Sequence, residues 1–179
     1  ESWWTSRMKW LSVPVYLNRR VVATRDRVYV TLGLGEPVSV LDAATGEVQK
    51  TLDGTEYASE LVLSDGVLLV GIRDDGAKSA GEEKEVDGGV VAIDVRSGEV
   101  LWRQTGWLAP LSLSAADGRA CFVISGTTYC LDLRSGEERW SQYWHNGWRN
   151  GQQIILRDRF LVSVGKKLSE SIGADRTES

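Results

Sequence analysis

Few side chains in this sequence could do chemistry, and those few are scattered. His145 is the only histidine, in Tyr143-Trp144-His145-Asn146-Gly147-Trp148. One imidazole with no Ser or Cys at a fixed spacing makes no nucleophilic triad. With no second His or Cys at ligand spacing it makes no zinc site, so it reads as a loop residue. Residues 74–88 gather six carboxylates, Asp74, Asp75, Glu82, Glu83, Glu85 and Asp87. Clustered carboxylates can attract calcium, but these lack the spaced Asp loop of an EF-hand, and the polar, Gly-rich run reads as a solvated loop. Gly33-Leu34-Gly35-Glu36-Pro37 has neither a phosphate-loop Lys nor a following helix and reads as a strand connection. Cys121 and Cys130 flank Ser125-Gly126. A two-residue loop there sets them opposite each other in a non-hydrogen-bonded pair, where a disulfide is geometrically possible. A longer loop sets them diagonally, and two small buried thiols are the alternative reading. These residues supply no catalytic set and no metal set, and they identify no cofactor-binding residue.

The elements that would position such groups are far more legible. Val91-Ala92-Ile93-Asp94-Val95 is β-branched and strand-like, Arg96-Ser97-Gly98 follows, and Glu99-Val100-Leu101-Trp102 makes a second short strand. Asp94 is placed to accept hydrogen bonds from the turn's backbone N–H groups, and Gly98 can take the positive φ that such a loop needs at its end. The unit recurs at Asp42 with Gly46, and at Asp132 with Gly136 and Trp140. Asp42 and Asp94 stand 52 residues apart, Asp94 and Asp132 only 38, and the acidic stretch 74–88 accounts for the difference. A second hairpin pattern precedes each unit, and residues 154–164 open a fourth. Two hairpins per repeat at a period of roughly 40 predict β-propeller blades of four antiparallel strands. The expected fold is all-β, with about three and a half to four blades.

Charge and aromatic content narrow the functions allowed. The net charge of −4 is the balance of the acidic insertion alone, so the remainder is neutral and offers no general nucleic-acid surface. No run is long and apolar enough to span a bilayer as a helix, and no secretory signal is visible. The chain begins at Glu1 rather than Met, which points to an excised or processed chain and leaves location open. Eight Trp is a high count. Trp102 and Trp140 share one repeat position, whereas Trp3, Trp4, Trp10, Trp107, Trp144 and Trp148 lie outside the pattern. Burial between blades is one reading of those six, and an exposed aromatic binding surface is the other.

The segment Ala92-x-Asp94-x-x-Ser97-Gly98-x-x-x-Trp102 resembles the tryptophan-docking repeat of the pyrroloquinoline-quinone-like propellers. That superfamily includes quinoprotein alcohol dehydrogenases and outer-membrane assembly lipoproteins of the BamB type. The resemblance implies that Trp102 and Trp140 pack flat on a neighbouring blade, while Asp94, Gly98, Asp132 and Gly136 fix the turns. The first copy keeps Asp42 and Gly46 but has Lys50 at the Trp position, and Val40 and Cys130 replace the repeat's alanine. A dehydrogenase of this family would also imply adjacent cysteines, a calcium site, a catalytic Asp and bound pyrroloquinoline quinone. The sequence has no such constellation, so an enzyme is the lesser expectation.

The domain reading is a strap or outer strands at 1–19, repeats at 20–165 (blades near 20–53, 60–104, 111–141 and a partial one at 152–165) and a flexible tail at 166–179. Family members usually close with six to eight blades, so a fragment of a longer propeller is expected. Strands recruited from residues 8–17, or a homodimer of half-rings, are the other ways to cover open sheet edges. The functional expectation is a non-catalytic binding or scaffold module of a larger bacterial protein, periplasmic or otherwise extracytoplasmic. Its expected ligands are protein partners, the remaining blades or a small ligand. A fragment of a quinone-dependent dehydrogenase is the alternative.

Overall fold

A computed structural model of the protein describes residues 19–33, 35–73, 88–143, 153–157 and 160–164. These residues form an all-β chain of three four-stranded antiparallel blades and one further hairpin. Blade one contains β1 (Val21–Ala23), β2 (Arg27–Thr31), β3 (Val38–Asp42) and β4 (Val48–Leu52). Blade two contains β5 (Ala58–Ser64), β6 (Val67–Ile72), β7 (Gly89–Asp94) and β8 (Val100–Thr105). Blade three contains β9 (Ser114–Ala116), β10 (Arg119–Ile124), β11 (Thr127–Asp132) and β12 (Glu138–Tyr143). The last hairpin pairs β13 (Gln153–Arg157) with β14 (Phe160–Val164). Within each blade the strands lie in chain order, as a meander requires. The first strands β1, β5, β9 and β13 pack beside one another in succession.

Turn chemistry sets the registers. Asp65-Gly66, Asp117-Gly118 and Ser125-Gly126 all have positive φ at both residues, the type I′ geometry that matches strand twist in two-residue hairpins. Each outer hairpin also has a register shift at the same repeat position, between Val40 and Leu41, Ala92 and Ile93, and Cys130 and Leu131. A bulge at that point bends and twists the outermost strand without disturbing the inner three.

Alternation then sorts side chains between the blade interfaces. On β6, Leu68, Val70 and Ile72 join one apolar cluster with Tyr29, Val38 and Val40 of blade one. Val67 and Leu69 of the same strand join another with Phe122, Leu131 and Leu133 of blade three. All of β6 is buried because both of its faces are covered, which explains its unbroken Val-Leu-Leu-Val-Gly-Ile. The outer strands are exposed along most of their length, and β12 along all of it. Among the described residues no helix is long and apolar enough to cross a membrane.

Candidate functional site

The three Asp turns share one geometry. Oδ1 of Asp94 accepts from the N–H groups of Arg96 at 2.8 Å and Ser97 at 3.1 Å, while Gly98 N–H returns to Asp94 O at 2.7 Å. Asp42 does the same with Ala44, Thr45 and Gly46, and Asp132 with Arg134, Ser135 and Gly136. These hydrogen bonds favour the ionised form and hold all three carboxyls below the usual range. The second oxygen is left for a cation: Arg134 Nη1 reaches Asp94 Oδ2 from the next blade at 3.0 Å, and Arg139 Nη2 reaches Asp132 Oδ2 at 2.8 Å.

Each turn also offers a glycine and a carbonyl to the preceding blade. Trp102 Nε1–H donates to Leu133 O at 2.9 Å, and its ring stacks on Phe122 at 6.3 Å between centroids. Gly136 lies so close to the indole that a Cβ there would stand 2.6 Å from Trp102 Cγ. One interface earlier, Lys50 takes the indole's place: a Cβ on Gly98 would meet Nζ at 2.6 Å. The ammonium end of Lys50 covers the glycine, but it is not what satisfies the carbonyl. Arg27 Nη1 donates to Val95 O at 3.1 Å instead, and Val95 is the repeat equivalent of Leu133. The indole's two tasks, covering the glycine and donating to the carbonyl, are thus divided between Lys50 and Arg27.

The two ends of the series differ from its middle. Gly46 of blade one is exposed, with no described residue within 4 Å of where a Cβ would be. Trp140 of blade three is 41% exposed, and Tyr143 on the same strand is 50% exposed. Because Trp140 pairs across the strands with Cys130, it projects from the face of blade three opposite blade two.

Near the first strands, Glu60 links all three blades. It is 2% exposed, pairs with the Arg19 guanidinium before blade one, and feels the backbone N–H groups of Leu113 and Leu111 before blade three. Arg19 Nη2 also donates to Leu113 O at 2.9 Å. Burial pushes the Glu60 carboxyl up, against the pull of Arg19 and the N–H groups. Leu111 has φ 58°, a strained value for Leu, in the segment that turns its N–H to the carboxylate. Glu60 was not singled out from the sequence, although a charge inside Ala58-Ser59-Glu60-Leu61-Val62-Leu63 is the kind of break in an apolar strand that marks a paired buried group.

Cys121 and Cys130 face each other in the register, with exposures of 0% and 1%, and both are free thiols. Trp107 is half-buried against their cluster. The described residues do not fit a calcium–quinone site: no three His, Cys, Asp or Glu side chains among them gather to hold a metal, and the cysteines sit on neighbouring strands rather than adjacent in sequence. His145, most of the acidic insertion, the segment 1–18, the tail from 165 onward and Trp3, Trp4, Trp10, Trp144 and Trp148 lie outside the described residues.

Comparison with known proteins agrees with this architecture. The family model for the outer membrane protein assembly factor BamB matches residues 3–142, and matches again over 86–157. No curated protein matches the chain. Among solved structures, BamB from Moraxella catarrhalis is similar at 15% identity with a TM-score of 0.56, over 78% of this chain and 40% of that one. A quinohemoprotein alcohol dehydrogenase from Pseudomonas putida HK5 aligns at 17% identity with a TM-score of 0.47, over 69% of this chain and 20% of that one. At such identity the likeness is one of fold, and this chain spans 40% of the length of the BamB structure. With the family match covering most of its length and three bladed repeats in place, the chain belongs to the BamB family of pyrroloquinoline-quinone-like β-propeller proteins.

Proposed function

We propose that the chain is a non-catalytic propeller module that binds protein, either a separate partner or further blades, through the open edge at β12. One observation carries this reading. The repeat position that covers the next blade's glycine at Lys50 and Trp102 is left 41% exposed at Trp140. An indole beside Tyr143 on a wholly exposed edge strand offers both an aromatic anchor and a strand edge, the two elements of strand-edge recognition. BamB's description as an outer membrane protein assembly factor supports an extracytoplasmic setting and a protein partner.

The test is a photo-crosslinking residue at position 140 in the cells that make the protein, with Val48 of β4, 52% exposed, as the control. Position 140 is expected to give adducts to one or a few defined proteins, or to further blades. Labelling from position 140 as weak and unspecific as from position 48 would contradict the reading. The dehydrogenase alternative has its own assay: no binding of pyrroloquinoline quinone with calcium, and no dye-linked alcohol oxidation, are expected.

A further inference from the structure

One cross-strand row of the blades differs chemically from its two counterparts. In blade one the inner pair of this row is Tyr29 opposite Val40, and in blade two it is Leu69 opposite Ala92. Both are buried apolar pairs that fill a blade interface. In blade three the same row reads Cys121 opposite Cys130, continued by Trp140 on β12. Phe122 and Leu131 point into the interface with blade two, so the cysteines occupy the other face, with Val123, Ala109 and Trp107 around them. That face is the one whose outer part is open at Trp140.

We propose that Cys121 and Cys130 form a cross-strand disulfide that locks β10 to β11 and stiffens the open face of blade three. Three geometric facts support the bond. The Ser125-Gly126 turn, with φ values of 50° and 84°, is the two-residue loop that fixes the pair directly opposite rather than diagonal. Counting outward from Ile124↔Thr127 makes it a non-hydrogen-bonded pair, in which side chains approach most closely. Both side chains are buried in one small apolar cluster on that face.

The reaction balances with a disulfide oxidant. One cysteine thiolate attacks oxidised glutathione and releases one glutathione thiol. The other cysteine thiolate then attacks the mixed disulfide and releases the second, so the protein dithiol is oxidised and one glutathione disulfide is reduced. Because both thiols are buried, the exchange proceeds while the chain refolds. The inference is independent of any partner at β12.

The test is refolding of the whole chain into buffers of fixed oxidised-to-reduced glutathione ratio, against the same buffers with denaturing urea. Acid quench, alkylation and mass spectrometry then give the fraction bonded. In the folded chain the disulfide is expected to survive about tenfold more reduced glutathione than in urea, since a bond that stabilises the fold is stabilised by it equally. Cys121→Ser and Cys130→Ser are each expected to abolish the species and to show the same urea midpoint in oxidising and reducing buffer. An equal or smaller ratio in the folded chain would overturn the proposal, as would mixed or intermolecular disulfides as the main products. The wild-type comparison decides the matter alone if either variant fails to fold.

Discussion

At the scale of the residue, what matters is which side chain a repeat position finds opposite it. Trp102 and Trp140 hold the same position, yet one covers Gly136 and donates to Leu133 O while the other is 41% exposed. Trp102→Ala is therefore expected to cost about 3 kcal/mol through lost packing and an unpaired carbonyl, and Trp140→Ala less than about 0.5 kcal/mol. Urea unfolding of the two variants checks this, and equal losses would refute it. The glycines give the mirror test. Gly136→Ala is expected to cost about 2–4 kcal/mol, because the new methyl must displace the indole as well as hold φ at 72°. Gly46→Ala meets no described residue within 4 Å and is expected to cost only about 1 kcal/mol, the strain of its positive φ. The Asp, Gly and Trp types were legible in the sequence because they recur at fixed offsets. The division of the indole's tasks between Lys50 and Arg27 was not, because Arg27 lies 68 residues from the carbonyl it serves and no local pattern pairs them.

Between elements, the blades are held by apolar interfaces outside and by Glu60 near the first strands. The strands themselves were readable, since β-branched alternation and Asp-Gly turns are local signals. The Glu60 link was not, because its partners come from residues 19 and 111–113 and meet only once the blades stack. Glu60→Ala is expected to cost about 2–4 kcal/mol, since it strips the Arg19 guanidinium of its buried partner. Glu60→Gln keeps an acceptor and should cost less. The titration has a definite sign. A carboxyl raised by burial contributes stability that is full below its unfolded value of 4.5 and is lost as pH rises through its folded value. Glu60→Gln should therefore improve relative to wild type on going from pH 4 to pH 7. Asp94 and Asp132 act in the opposite direction. Their lowered carboxyls contribute stability above 3.8 that is lost as pH falls through their folded values, so the turns weaken in acid. Thermal unfolding across that range distinguishes the two slopes.

At the scale of the molecule, the described residues leave a turn uncovered at Gly46 and a large side chain exposed at Trp140. The sequence showed this as three Asp turns with a fourth hairpin lacking one, but only the stacked blades show which side chain is exposed. The central claim is that this edge is adhesive, and light scattering on a sizing column tests it most directly. For the isolated chain we expect a mass above 19.8 kDa that rises with concentration, and a return toward 19.8 kDa in Trp140→Lys. A mass of 19.8 kDa at every concentration, unchanged by the substitution, would show that the β12 edge does not self-associate and would contradict its being adhesive on its own.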